Sequence, residues 1–97
     1  MTTTFSHGLR QGSTDAVQMP AVRFQSGYLK ALPDNSGNVY IGSSSDVAIA
    51  GTTDNTTTGY VLDASEVFLL GAPGDLRQYW YICDNAGDDF IWFVENF

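Results

Sequence analysis

Chemistry in this chain would have to come from very few residues. There is one histidine, His7, one cysteine, Cys83, and eleven acids against four bases. A Ser-His-Asp relay would need His7 as its base, and a base works only when packing and a third group hold its ring. His7 lies instead in a polar leader, residues 1–18, rich in Thr, Ser, Gly and Gln. Cys83 ends the apolar run Tyr79–Cys83 with no basic neighbour to lower its pKa, so it reads as a small buried hydrophobe. One cysteine excludes an internal disulfide framework and a cysteine-based zinc site, and one histidine argues against a histidine metal cluster. Asp84, Asp88 and Asp89 gather at one turn, as in a calcium loop, but the D-x-D-x-D spacing with a distal Glu is absent. Aspartates at turns ordinarily bond nearby backbone amides. Tyr28, Tyr40 and Tyr60 fall at or beside polar positions. Two readings stay open for them: a stacking platform for a sugar or base, or ordinary sheet-edge aromatics. No glycine-rich loop leads into a helix, and no cofactor is expected.

The composition sets the frame for these residues. Ninety-seven residues suit one domain. Hydrophobic residues make up 43% of the chain, enough to fold, while a net charge of −7 leaves few cations for phosphate contacts and argues against nucleic acid. No apolar run approaches the ~20 residues of a membrane helix, and the start lacks the basic and apolar regions of a secretory signal. A free cysteine suits synthesis in a reducing cytoplasm. Charge is divided unevenly: residues 1–30 hold Arg10, Arg23 and Lys30 against Asp15, and residues 31–97 hold Arg77 against ten acids.

The elements that must position these side chains read as β-structure. Residues 1–18 have no strand or helix period and are expected to form an extended N-terminal arm, with residues 19–97 a single β-domain. Val22–Leu32 is extended, with Gly27 expected as a bulge; beyond it Leu29 and Ala31 face one way, Tyr28 and Lys30 the other. Pro33–Gly37 is a turn, and Asn38–Gly42 returns with Val39 and Ile41 on the core face, predicting a hairpin. Val47-Ala48-Ile49 is an apolar island, a short strand or a plug, in a Ser/Thr-rich loop. Gly59–Leu62 and Glu66–Leu70 are strands meeting at the corner Asp63–Ser65. Tyr79–Cys83 and Phe90–Val94 bracket the Asp84–Asp88 turn and predict a second hairpin. Short strands separated by Gly, Pro and Asx turns predict an all-β fold: a compact antiparallel β-sandwich or small barrel, jelly-roll-like.

Both arms of the last segment are apolar at nearly every position, so both faces need cover, from a second sheet or from another chain. The expected subunit interface is therefore Phe90, Trp92 and Phe93 with Tyr79 and Trp80, since aromatic anchors dominate binding hot spots. The other reading is that they fill the domain's own core, one strand face doing each job. Phe5, Leu9 and Arg10 of the arm are second candidates.

A set of residues also resembles a known group. Asn35-Ser36-Gly37-Asn38-Val39-Tyr40-Ile41-Gly42, then Gly59-Tyr60-Val61-Leu62-Asp63-Ala64-Ser65-Glu66, then Asp75-Leu76, Tyr81-Ile82 and Ala86-Gly87-Asp88, are similar to small virion proteins of tailed bacteriophages. Residues 22–95 carry the likeness; Ser65 stands where Gly is commoner, and the last segment is more aromatic. The resemblance implies a non-enzymatic structural role, foremost capsid decoration (cement): a homotrimer on the capsid surface, clamping neighbouring major capsid protein subunits. Its location would be the virion, after synthesis in the host cytoplasm, with no nucleic acid or membrane as partner. Two other classes stay open, a tail or head-fibre protein touching a host glycan and a small hydrolase dependent on His7.

Overall fold

The computed structural model describes residues 4–49 and 57–96. Ten strands follow in order: β1 (Phe5–Arg10), β2 (Val17–Gln18), β3 (Arg23–Phe24), β4 (Ser26–Ala31), β5 (Val39–Gly42), β6 (Tyr60–Leu62), β7 (Val67–Leu70), β8 (Gly74–Asp75), β9 (Trp80–Cys83) and β10 (Phe90–Glu95). Two four-stranded sheets hold most of them, sheet A in the order β1-β10-β4-β7 and sheet B in the order β2-β9-β5-β6. A two-stranded ribbon joins β3 to β8. All these pairings are antiparallel.

The strand orders define a jelly roll. Chain neighbours β1 and β2, β4 and β5, β6 and β7, and β9 and β10 each divide between the two sheets. The chain thus crosses the sandwich at each of these turns, and each long strand can bury one face against the opposite layer. The core between the layers takes Leu29, Ala31, Leu70, Phe90 and Val94 from sheet A and Val39, Ile41, Leu62, Tyr81 and Cys83 from sheet B. Met19, Phe24 and Leu76 complete it from the connecting segments. Tyr81 and Phe90 meet edge to face across the layers at 4.7 Å. Cys83 is buried in this core, and burial pushes its thiol above the ordinary value, consistent with an inert hydrophobe.

Several expectations are corrected by this topology. Neither predicted hairpin forms, because β4 and β10 lie in sheet A whereas β5 and β9 lie in sheet B. The physical reason lies in the turns. Asp88, almost wholly buried, accepts hydrogen bonds from the amides of Ser36, Gly37 and Asn85 at 3.0–3.1 Å. Asp84 accepts from the Asn38 amide at 2.8 Å, and Asp89 accepts from the Gly12 amide at 2.8 Å. Three carboxylates thus bind three crossing segments into one hub, and each turn is spent on layer crossing. A Cβ on Gly12 would collide with the backbone of Ala86 and Asp88, so only glycine admits this approach.

The leader is extended, but not as a free arm. Residues 5–10 form β1, paired along its length with β10, and Val17–Gln18 pairs with β9. Of the separate unit expected for residues 1–18, Phe5–Arg10 therefore belongs to sheet A and Val17–Gln18 to sheet B. Gly27 is no bulge either, since β4 keeps an unbroken register against β10. It stands at φ 157°, where a Cβ would strike the Phe93 carbonyl and Val94. At the β6–β7 corner Ser65 has φ 69°, the left-handed conformation that favours glycine. The apolar island acts as a plug: Val47 is buried, closely set against Gly42 and Gly59. Residues 50–56 of that loop lie outside the described residues.

Candidate interaction surface

Strand alternation divides sheet A into two unlike faces. Inward from β10 point Phe90 and Val94, fully buried, and Trp92, packed against the core. Outward point Ile91, Phe93 and Glu95. The register aligns these across the sheet in three rows. The central row is His7, Phe93, Tyr28 and Leu69. One flanking row is Leu9, Ile91, Lys30 and Val67; the other is Phe5, Glu95 and Ser26. Phe93 is the centre of an aromatic stack, with Phe5 at 5.2 Å, Tyr28 at 5.8 Å and His7 at 6.3 Å. Despite this stacking, Leu69 is 76% exposed, Phe5 55% and Leu9 53%. Together these residues make a contiguous, largely apolar sheet face, the kind of patch that is a candidate for association.

Of the residues expected at an interface, the structure brings Phe5, Leu9 and Phe93 together on this face. Arg10 and Trp92 lie on the opposite side of the sheet. The Arg10 guanidinium sits 5.8 Å from the Tyr81 ring centre, and its buried Nε has no hydrogen-bond partner among the described residues. Phe90 is corrected outright, because it is fully buried within its own domain. Tyr79 packs on the core edge to face with Phe68, which in turn meets Tyr60. Trp80 belongs to sheet B. Sequence reasoning missed His7, Tyr28, Ile91, Val67 and Leu69 as members. The usable signal was Val67–Leu70, apolar at every position in a strand of four, which leaves one pair without a core to enter.

The outer side of sheet B is covered at Tyr40, while its neighbours Trp80 and Ile82 are half-buried and Val61 is exposed. Tyr40 is only 4% exposed, and its hydroxyl donates to Asp84 Oδ1 at 3.2 Å. Burial raises this phenol above its ordinary pKa. The three tyrosines therefore do not form one platform. Tyr28 is on the face of sheet A, Tyr40 is buried, and Tyr60 is at the open side of the sandwich. The acidic turn does not gather a metal set, since among the described residues no three His, Cys, Asp or Glu side chains are so placed. A cleft of about 360 Å³ opens beside the plug, lined by Ser43, Ser44, Thr57, Thr58, Phe68 and Tyr79 among others.

Comparison with family models, curated proteins and solved structures yields no match.

Proposed function

We propose that this protein is a non-enzymatic structural component of a tailed-phage virion, specifically a capsid decoration protein that attaches to major capsid subunits and stabilises the shell. The observation that carries the reading is the apolar outer face of sheet A, which leaves the subunit to be completed by association. Two features support it. The sequence resemblance spans the β-domain, and jelly rolls recur in viral capsid proteins, an analogy at the level of fold. Binding only to the assembled shell would stabilise that shell by mass action. The resemblance implies a trimer. Mass spectrometry and cryo-EM of purified particles test the proposal: the chain is expected in stoichiometric copies on the capsid. Its presence in infected cells together with its absence from particles would overturn the reading.

A second reading rests on the cleft beside Val47. Its hydroxyl-bearing rim and the Phe68–Tyr79 aromatics suit a sugar ring, and lectin domains also use the jelly roll. This is the tail or head-fibre alternative, in which the chain touches a host glycan. Glycan-array binding that Tyr79→Ala abolishes would favour it over decoration.

A further inference from the structure

We propose that the outer face of sheet A pairs with the same face of a second copy about a two-fold axis, the Lys30 of each copy meeting the Glu95 of the other. The pairing goes beyond the virion reading and takes up the same face, so a two-fold dimer would stand in place of the trimer that the resemblance implies and leave capsid attachment to the remaining surface.

The occupant is argued from charge and geometry. The chain carries −7, yet this face holds one acid, Glu95, and one lysine, Lys30, the only lysine in the sequence. The two charges cancel, so this face of an acidic molecule opposes self-contact little. Neither charge is ion-paired within the chain among the described residues. Their positions are also self-complementary. Glu95 pairs with Ser26 and Lys30 with Ile91, so the two charges occupy opposite corners of a rectangle centred on Phe93 and Tyr28.

Two such faces brought together by a two-fold axis through that centre exchange their corners. Each ammonium then lies over the partner's carboxylate, twice per interface, with the aromatic row between them. An isologous contact demands this i-to-j and j-to-i exchange. The diagonal runs four residues along the strands and one strand across, about 13 Å by about 4.8 Å, so it is inclined about 20° to them. A two-fold normal to the diagonal makes the strands of the two copies cross at about 40°, near the roughly 30° of aligned sheet packing.

The full chain in solution tests this. Sedimentation equilibrium is expected to give the mass of two chains. Lys30→Glu and Glu95→Lys each place like charges face to face, and each should weaken self-association by about tenfold or more. The double variant Lys30→Glu/Glu95→Lys re-creates both opposite-charge contacts and should restore the dimer. A zero-length carbodiimide, which takes up the water lost as amine and carboxylate form an amide, should yield an inter-chain Lys30–Glu95 peptide on digestion. That product decides the matter if a variant fails to fold. A monomeric or three-chain wild-type mass overturns the proposal, as do single variants that stay dimeric, a folded double variant that stays monomeric, or a cross-linked dimer without that peptide. Any of these leaves capsid decoration standing, because that reading is tested on particles.

Discussion

The two sheets are equal in strand number and unequal in how their outer faces are finished. On sheet B the outward Tyr40 is buried and hydrogen-bonded to Asp84, and the plug residue Val47 closes on Gly42 and Gly59, so that of this face's large apolar residues Val61 alone is exposed among the described residues. On sheet A the outward Phe5, Leu9, Val67 and Leu69 stay exposed. Composition does not account for the difference, since both faces carry aromatic and β-branched residues. Connectivity does. The long β5–β6 connection brings residues back to the sheet B side, whereas the β4–β5 and β9–β10 turns are consumed by the aspartate hub. The contrast shows that an apolar sheet face stays exposed where none of the described segments returns over it.

Opening the closed sheet should have the largest effect. Tyr40→Ala removes a buried ring and a hydrogen bond and should cost about 3 kcal/mol in urea unfolding. A loss under about 1 kcal/mol would mean that Tyr40 does not seal its part of sheet B. Asp88→Ala comes next. It strands three backbone amides at the crossing of two turns and should cost about 2–3 kcal/mol, with Asp88→Asn milder because one acceptor oxygen remains.

Alkaline pH should act on the core. The Cys83 thiol lies above its ordinary 9.0 in the folded state, so the native chain holds a proton that the unfolded chain releases. Stability from this group is complete below pH 9.0 and is lost as pH rises through the folded value. Thermal melts across that range, together with Ellman's reagent at pH 8, check the point: no reaction is expected until unfolding. Ser65→Gly should gain about 0.5 kcal/mol by relieving its positive φ. The smallest effect belongs to the open sheet. Leu69→Ser should change monomer stability by less than about 0.5 kcal/mol, read at protein concentrations too low for association. A larger loss there would make Leu69 part of the core and erase the contrast.

The division of β4 was legible in the chain, because Leu29 and Ala31 alternate with Tyr28 and Lys30 and a period of two needs no tertiary information. The buried Cys83 and the Asp63–Ser65 corner were legible for similar local reasons. The outer face was not. Its rows join residues from β1, β10, β4 and β7, which are far apart in sequence, and register among them is not encoded in any one segment. Phe90 and Phe93 illustrate the limit: three residues apart on one strand, they point to opposite faces, and only the partner layer tells which face is the core.

Residue types and their local periods were enough to establish an all-β chain, a net acidic surface and an apolar surplus near residues 79–97. They also settled the inward and outward parity of several strands, because these properties depend on neighbours along the chain. Which strands pair, that the acidic turn is a clamp, that Phe5–Arg10 of the polar leader is an edge strand, and that the outer face of sheet A is exposed among the described residues were decided only in three dimensions. Each depends on the long-range meeting of Gly12, Ser36–Asn38 and Asp84–Asp89, a hydrogen-bonded crossing that no local pattern in those segments specifies.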